Sequence, residues 1–405
     1  MEDNNKPILE AYQSLVGKDQ ITALLKKAKK FENNRILHVN STKFGGGVAE
    51  ILTNMIPLME ELNLNAEWKI FTAPDSFFKI SKKMHNALQG NMEIQFSDDE
   101  VSAYLSQAKS TYEQIQPKED FIIIHDPQPC PIIKFEERKE GKWIWRCHID
   151  TSNPNPQAWD LISDYLPLYD ALIFTKKEFA KKELQNRLHQ IPPSIHPFSD
   201  KNKYLEDEEA KKIVEKYVPL DLPLITQVSR FDPWKDPLGV IDVYKKVKEK
   251  VPIRLCLIGS LAHDDPEGVE WLEKVKNYAG DDPNINVLSN LDGVADLEVN
   301  AFQRVSDVIL QKSIREGFGL TVTEAMWKGT PVIGGNVGGI KLQIENGVNG
   351  FLINEVDEAA EKVLFILKNP EIAKKMGIKG REKIKNEFLL IKHVENYLDL
   401  FSVIS

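Results

Sequence analysis

Short apolar runs alternate with amphipathic stretches along most of this 405-residue chain. The apolar runs lie between turn-forming residues, a pattern typical of buried strands. Between them, apolar positions recur every three or four residues, which predicts helices that bury one face. Because strands and helices alternate, we expect an α/β fold in which helices cover mostly parallel sheets.

The alternation occurs twice. Predicted strands of the first series cover residues 36–40, 68–72, 121–125, 143–149 and 171–175, with helices over 48–62, 98–115 and 157–166. Those of the second series cover 224–231, 253–259, 285–290, 308–313, 331–335 and 350–354. Residues 186–222, rich in proline and charge, contain no predicted strand and are interpreted as a linker between domains.

We therefore predict two doubly wound α/β domains that face an interdomain cleft. The first covers residues 1–215 and the second 216–380, and residues 381–405 form a C-terminal helix that packs back towards the first domain. Ligands of doubly wound sheets bind at the carboxyl ends of the strands, so the candidate chemistry is sought in the loops that follow them.

Charge and cysteine content exclude several classes of protein. The formal net charge of −9 does not fit a nucleic-acid-binding surface, which needs a clustered basic face. The three cysteines include no C-x-x-C pair and are expected to be reduced thiols. No apolar run reaches the ~18 residues of a membrane span, and the polar segment 1–5 does not fit a signal peptide. We expect a soluble cytoplasmic protein with no membrane partner.

A glycine turn, Gly45-Gly46-Gly47, separates the first strand from the first long helix of that series. Such a turn brings backbone amides close to an anion. The G-x-G-x-x-G fingerprint of dinucleotide-binding proteins would need glycine where Glu50 stands, and there is no G-x-x-x-x-G-K-[ST]. An anion such as a diphosphate fits the turn, and a plain tight turn is the alternative.

Two carboxylates lie eight positions apart in the segment REGFGLTVTEAMWKGTPVIGGNVGG, residues 315–339. Glu316 belongs to a glycine turn after a predicted strand, and Glu324 lies on the short helix that follows. The helix N-terminus offers free amides to a phosphate, and carboxylates match the paired hydroxyls of a sugar. The alternative for Glu324 is a residue on an exposed helix surface.

Two cations follow the first strand of the second domain, in SRFDPWKDPLGVI at 229–241. Arg230 and Lys235 could neutralise a diphosphate leaving group. By themselves they could equally be solvated loop residues. No His, Cys and Asp cluster has the spacing of metal ligands, so no tightly bound metal is expected.

The motifs EGFGLTVTEA, SRFDPWKDP, KFGGGVAE and WRCHID together resemble those of the retaining nucleotide-sugar glycosyltransferases with the GT-B fold, the E-x7-E superfamily of glycogen and sucrose synthases. Within it, STKFGGGVAEIL, HDPQP and WRCHIDTSNPN are most similar to trehalose glycosyltransferring synthases. The resemblance implies transfer of glucose from an NDP-glucose to glucose, with retention at the anomeric carbon. It also implies a donor-binding second domain and an acceptor-side first domain.

Residue by residue, the resemblance implies that Glu316 holds hydroxyls of the donor sugar and that Glu324 holds the ribose. The other residues that it implies for the donor are Gly46, Gly47, Arg230, Lys235, Gly317, Phe318 and Gly319. It implies a place for His148 beside the reaction centre, and Asp126 is the candidate contact of the acceptor. His125 is interpreted as structural. His196 stands in the linker where an acidic residue was expected.

The resemblance leaves rival functions open. A retaining trehalose phosphorylase shares the scaffold, and synthesis of sucrose or sucrose phosphate is a further rival within the class. A sugar-nucleotide 2-epimerase or a catalytically idle binding module would be rivals outside it, although an idle module is expected to lose Glu316 or Lys235. No tightly bound cofactor is expected, apart from Mg²⁺ that accompanies the donor diphosphate. A homodimer is a further expectation from family habit.

Overall fold

A computed structural model describes residues 7–43, 46–137, 140–261 and 266–405. The chain forms two compact units, of which the first comprises Met1–Pro193 and Leu390–Ser405 and the second comprises Ser194–Leu389. Each unit contains a six-stranded parallel sheet with helices. This arrangement confirms the predicted α/β class.

The sheet of the first unit has the order β2-β1-β3-β4-β5-β6. Its strands are β1 (Arg35–Asn40), β2 (Asn65–Ile70), β3 (Phe121–His125), β4 (Lys142–Cys147), β5 (Ala171–Phe174) and β6 (Leu188–Gln190). Its helices include α1 (Ile8–Val16), α2 (Lys18–Ala28), α3 (Gly47–Glu61), α4 (Asp75–Leu88), α5 (Asp98–Ile115) and α6 (Pro156–Ser163). Short 3-10 turns cover Lys29–Phe31, Cys130–Phe135, Leu166–Leu168, Lys177–Phe179 and Lys182–Arg187.

The sheet of the second unit has the order β12-β11-β10-β7-β8-β9. Its strands are β7 (Leu224–Val228), β8 (Arg254–Gly259), β9 (Ile285–Ser289), β10 (Val308–Gln311), β11 (Val332–Gly335) and β12 (Phe351–Ile353). Its helices are α7 (Asp207–Val214), α8 (Pro237–Lys248), α9 (Pro266–Ala279), α10 (Asp296–Val305), α11 (Leu320–Trp327), α12 (Ile340–Gln343), α13 (Val356–Lys368) and α14 (Pro370–Glu387). The order is that of a dinucleotide-binding sheet, in which the chain first winds one way from a central strand and then the other.

The last helix of the chain, α15 (Leu390–Ile404), belongs to the first unit. Its Phe401 ring stacks on Phe121 of β3 at 4.2 Å between ring centroids. On its outer side, Lys27 of α2 forms an ion pair with Glu395 at 2.8 Å. The residues that alternate with these on β1, β3 and β4 point to the other face of the sheet, away from α15. They fill the main core of the unit and include Leu37, Val39, Ile122, Ile124, Trp143 and Trp145.

The expectation that residues 186–222 contain no strand is wrong. Residues Leu188–Gln190 form β6, which pairs with β5 at the edge of the first sheet. This strand was not predicted because it has only three residues and buries only Leu188, so the sequence shows no alternation of apolar and polar positions there. The charged helix α7 is packed too: Ala210, Ile213 and Val214 lie in a core cluster of the second unit with Phe302. The division between the units falls at 193/194, whereas the predicted boundary is at 215/216, so residues 194–215 belong to the second unit and not to the first.

Within the described ranges, none of the helices combines the length and the apolar composition needed to cross a membrane.

Candidate functional site

Each sheet has a point at which the strand order changes direction. In the first unit this point lies between β1 and β3, and in the second unit between β7 and β10. The loops that leave neighbouring strands in opposite directions there form a crevice at the carboxyl end of the sheet, where ligands of such folds bind.

In the second unit, the loops after β7 and β10 are joined by an ion pair. The Nζ atom of Lys235 lies 2.6 Å from Oε2 of Glu316, and the two side chains are only 15% and 10% exposed. The hydroxyl of Ser313 donates to the same Oε2 at 3.2 Å. A carboxylate so far removed from water needs such partners. Two residues that are 81 positions apart thus meet at the switch point.

Both of these bonds use one oxygen of Glu316. Among the described residues, Oε1 accepts no hydrogen bond and stays available to a ligand. Lys235 itself is oriented by its backbone, because its carbonyl accepts from Nε2 of Gln227 at 2.8 Å. The pair therefore presents one free carboxylate oxygen beside a fixed cation.

Glycine packing fixes the turn that carries Glu316. The N–H of Gly339 donates to the carbonyl of Glu316 at 3.2 Å. A Cβ atom on Gly338, whose φ is +45°, would lie 1.6 Å from that same carbonyl oxygen. The buried side chain of Gln343 donates to the carbonyl of Phe318 at 2.7 Å. The pair Gly338-Gly339 thus holds Glu316 in place, a role that the sequence did not predict.

Helix α11 begins directly after this turn, with Gly319 as its N-cap residue at φ +85°. No side chain caps its N-terminal amides. Uncapped amides and the positive end of the helix dipole attract an anion. Gly317, Phe318 and Gly319 lie between Glu316 and a helix N-terminus that no side chain caps, and their predicted role towards the donor stays a prediction.

Glu324 is buried within α11 rather than placed on an exposed helix face. Its carboxyl group is 2% exposed and accepts from Nε2 of Gln303 at 3.1 Å. Lys201 Nζ lies 3.9 Å from its other oxygen. Contacts of this kind hold the carboxylate in one orientation, and its predicted role towards a ribose stays a prediction.

Arg230 differs from its neighbours because its side chain is 59% exposed. Its guanidinium pairs with Asp232 at 3.0 Å. The carboxylate of Asp232 also accepts from the N–H groups of Trp234 and Lys235, at 2.9 and 3.1 Å. The loop after β7 is therefore folded around Asp232, with Lys235 turned inwards and Arg230 turned towards solvent.

In the first unit, a hydrogen-bonded row of three histidines, the histidine row, consists of His38, His125 and His148. His38 Nδ1 lies 2.9 Å from His125 Nε2, and His125 Nδ1 lies 3.1 Å from His148 Nε2. The rings of His125 and His148 are stacked at 5.4 Å. His38 and His125 are buried, whereas His148 retains some exposure. The sequence predicts a functional His148 and a structural His125, and only the strand order β1-β3-β4 reveals the row.

Asp126 follows His125 in the left-handed region, with φ +67°. Its Oδ1 accepts from the N–H of His148 at 2.9 Å, and its carbonyl accepts from the indole of Trp145 at 3.0 Å. Burial raises the pKa of Asp126 to about 6, although the hydrogen bond from His148 and the charge of Arg146 act against the rise. Strain and a displaced pKa at one residue are frequent at functional sites.

Burial and a neighbouring cation keep the histidine row neutral. Burial lowers the pKa of His38 to about 3. The pKa values of His125 and His148 lie well below the ordinary value, first because of burial and then because of nearby positive groups that include Arg146. Arg146 itself is fully buried on β4, in register with His125.

Gly46 and Gly47 begin α3 in the first unit, whereas the other predicted donor contacts belong to the second. Gly46 is the N-cap residue at φ +81°, and no side chain caps the helix there. Phe44 and Gly45 of the same turn lie outside the described residues. In the described part of the chain, no group of three or more His, Cys, Asp or Glu side chains is placed to hold a metal ion.

Family comparisons match both units. A family model described as the N-terminal domain of trehalose synthase matches residues 38–181, and a model of group 1 glycosyl transferases matches residues 208–383. The chain is 47% identical over 403 residues to a trehalose synthase of Pyrococcus horikoshii, covering 98% of this chain and 97% of that one. It is 44% identical to a trehalose synthase of Rubrobacter xylanophilus, covering 97% and 96%.

Solved structures share the fold at much lower identity. A sucrose-phosphate synthase from Thermosynechococcus elongatus matches with a TM-score of 0.71 at 16% identity, over 92% of this chain and all of that one. An α,α-trehalose 6-phosphate synthase from Burkholderia multivorans matches with a TM-score of 0.70 at 15% identity, over 91% and 99%. The resemblance deduced from the motifs is thus confirmed: the chain is a glycosyltransferase with the GT-B fold and belongs to the trehalose synthase family.

Proposed function

We propose that this enzyme transfers glucose from an NDP-glucose to glucose and releases trehalose and NDP. The bond between the anomeric carbon and the diphosphate oxygen breaks, and a bond from that carbon to an acceptor oxygen forms on the same face. The acceptor proton passes to the departing diphosphate. The reaction is reversible, since one bond at the anomeric carbon is exchanged for another, and NDP can displace glucose from trehalose to regenerate NDP-glucose.

The observation that carries the proposal is the Lys235–Glu316 pair beside the open N-terminus of α11. Oε1 of Glu316 accepts from donor sugar hydroxyls, while Lys235 stays fixed by Oε2 at 2.6 Å. The cation and the uncapped amides together stabilise charge on the leaving diphosphate. Arg230, exposed on the same loop, adds a second cation that donor binding brings into use.

The remaining roles follow the family pattern. Glu324 holds the ribose, and Gly46 and Gly47 of the first unit offer amides to the diphosphate. Asp126 accepts from a hydroxyl of the acceptor, and His148 contacts the donor sugar near the reacting carbon. A double displacement would need a carboxylate nucleophile. We favour a direct front-face transfer, because positioning and charge stabilisation are what these groups supply.

Three further features belong to the proposal. Mg²⁺ enters with the donor diphosphate rather than through a protein site of its own. The enzyme works in the cytoplasm, and it forms a homodimer. Activity with and without EDTA tests the first of these, and light scattering of the purified protein tests the dimer.

The test incubates purified protein with glucose and UDP-, ADP- or GDP-glucose, and measures disaccharide and NDP by chromatography. We expect trehalose and NDP in equal amounts, and their rates rank the three bases. NDP without disaccharide would exclude glucose as acceptor and remove the role given to Asp126. An NDP-glucose that stays intact in every mixture would overturn the proposed transfer.

A retaining trehalose phosphorylase is the second candidate. The chain is 27% identical over 434 residues to a trehalose phosphorylase of Pleurotus pulmonarius, covering 94% of this chain but 58% of that one. A phosphorylase would place inorganic phosphate beside Lys235 and Arg230. Trehalose formed from glucose 1-phosphate and glucose, and not from any NDP-glucose, would favour this candidate.

A further inference from the structure

We infer that His38 and His125 are positioning residues that fix the tautomer of His148, so that His148 offers its Nδ1–H to the substrate. The inference rests on the proposed function in one respect only, namely the identity of the sugar that accepts this hydrogen bond. It rests on the geometry of the histidine row and on the unpartnered polar atoms at its buried end.

The row crosses the sheet at the switch point of the first unit. His38 lies on β1, His125 ends β3, and His148 follows β4. Two contacts, of 2.9 and 3.1 Å, join the three rings in sequence from Nδ1 of His38 to Nε2 of His148. Nε2 of His38 ends the row in the interior, and Nδ1 of His148 ends it at the partly exposed side.

Two neutral arrangements satisfy both contacts. A neutral imidazole has one N–H donor and one acceptor nitrogen, and each contact needs one of each. In the first arrangement His38 donates to His125, His125 donates to His148, and His148 carries its proton on Nδ1. In the second, every bond is reversed, so that His38 carries an N–H at the buried end and Nδ1 of His148 is bare. Fixing one end therefore fixes the other.

The buried end decides between the two. Within the described residues, Nε2 of His38 has no hydrogen-bond partner there, and neither has the hydroxyl of Tyr397, which can donate or accept. The Tyr397 ring of α15 lies edge-on to His38, at 5.8 Å between centroids. An N–H on this buried nitrogen would be an unpaired donor, which is the costlier defect, whereas a bare nitrogen leaves only an acceptor without a partner.

Neighbouring groups also favour one proton for each ring. Arg146 on β4 lies in register with His125, and its Nη1 donates to the carbonyl of Ile191. His393 of α15 donates from Nδ1 to the carbonyl of Pro192 at 2.9 Å. Asp126, the acidic neighbour, accepts the backbone N–H of His148. Burial, Arg146 and His393 together lower the pKa values of His125 and His148, so the row stays neutral.

The direct test is ¹⁵N NMR of the full chain labelled in histidine at pH 7.5, with the His148 signals assigned by their loss in H148Q. We expect the Nδ1 signal of His148 to be that of a protonated nitrogen and its Nε2 signal that of a bare one. The reverse pattern, or a charged ring, would overturn the inference. This measurement on the unaltered protein needs neither activity nor a folded variant of the row.

Three variants of the row extend the test. H38F removes the first donor, so we expect His148 to become a mixture of tautomers and kcat to fall about tenfold, with KM changed less. H125F interrupts the row and should cause a similar loss, whereas H125Q keeps one donor and one acceptor in the middle of the row and should keep most of the activity. H189Q, on β6 of the same sheet but outside the row, is the matched control. A His148 tautomer that is unchanged in H38F would overturn the inference, whereas a correct tautomer in a protein without transfer activity would count against the proposed function alone.

Discussion

The two units have the same architecture but handle buried charge in opposite ways. At the switch point of the second unit, Lys235 and Glu316 are both charged and neutralise each other at 2.6 Å. At the switch point of the first unit, burial and Arg146 remove the charge of the histidines.

This difference matches what each unit is proposed to bind. A diphosphate is a strong anion, and a preformed cation with an uncapped helix N-terminus meets its charge. A sugar hydroxyl is neutral and needs a hydrogen bond of defined direction, which a neutral histidine in one tautomer supplies. On the proposed function, the same sheet end serves as an electrostatic site in one unit and as a directional hydrogen-bonding site in the other.

Removing the charge of Lys235 is expected to have the largest effect on activity and stability. K235M leaves a buried carboxylate without its charged partner, so we expect a fall in transfer rate of about 10³-fold and a loss of about 3 kcal/mol in unfolding free energy. Initial rates of NDP release and urea unfolding measure the two effects.

The double variant K235M/E316Q sharpens this prediction. It should lose less stability than the sum of K235M and E316Q, because no unpaired charge remains. K246M removes an exposed lysine that pairs with Asp357 in the same unit, and it should behave as the unaltered protein. Additive losses in the double variant would mean that the two residues do not act as a pair.

Acidification tests the uncharged row of the first unit. The pKa values of His38, His125, His148 and His393 are lowered on folding, so their contribution to stability is full above pH 6.5 and is lost as the pH falls. Asp126, whose pKa is raised to about 6, opposes this because it binds its proton more readily in the folded state. The net expectation is a loss of about 3 kcal/mol between pH 6.5 and 5.5.

Urea unfolding followed by near-ultraviolet circular dichroism, repeated at several pH values, measures this loss. The variant D126N removes the opposing carboxyl group, so its stability should fall more steeply with acid than that of the unaltered protein. A stability that does not change from pH 6.5 to 5.5 would show that the folded and unfolded states bind equal numbers of protons, which would contradict the lowered histidine pKa values.

A smaller effect is expected from a methyl group placed against the turn of the second unit. In G338A the new Cβ would meet the carbonyl oxygen of Glu316 at 1.6 Å, so the turn must shift. We expect transfer to fall about 10²-fold because Glu316 is displaced, in line with the cost of misplacing a positioned group.

The matched control is G347A, which has a similar left-handed φ of +79° but no atom within 4 Å of the added Cβ. It should show only the strain of that backbone, about 1 kcal/mol, with its activity kept. Equal losses of activity in G338A and G347A would assign the effect to strain and not to the position of Glu316.

Arg230 is expected to give the smallest effect because it is exposed. In R230A the KM for the NDP-glucose should rise about tenfold, while the unfolding free energy stays the same. Steady-state kinetics at two salt concentrations measure it, with K248A, an exposed lysine of α8 paired with Asp282, as control. A fall in stability without a change in KM would show that Arg230 serves the loop and not the donor.

Most strands were found from the sequence because their signal is local. The buried runs around residues 121–125, 224–231 and 253–259 correspond to β3, β7 and β8. The misses have physical reasons. Strand β2 lies at an edge with only Ala66 buried, so its bounds were placed three residues late, and helix α4 carries many lysines that masked its apolar face.

By itself, the sequence determined the α/β class, the two series of elements and the short motifs that lead to the family, since periodicity and motifs extend over a few neighbouring residues. Only the tertiary structure decided which of these residues act together. Lys235 meets Glu316 because β7 and β10 are neighbours, and His38, His125 and His148 form a row because β1, β3 and β4 are. Contacts between distant residues depend on strand order and register, which periodicity along the chain does not record.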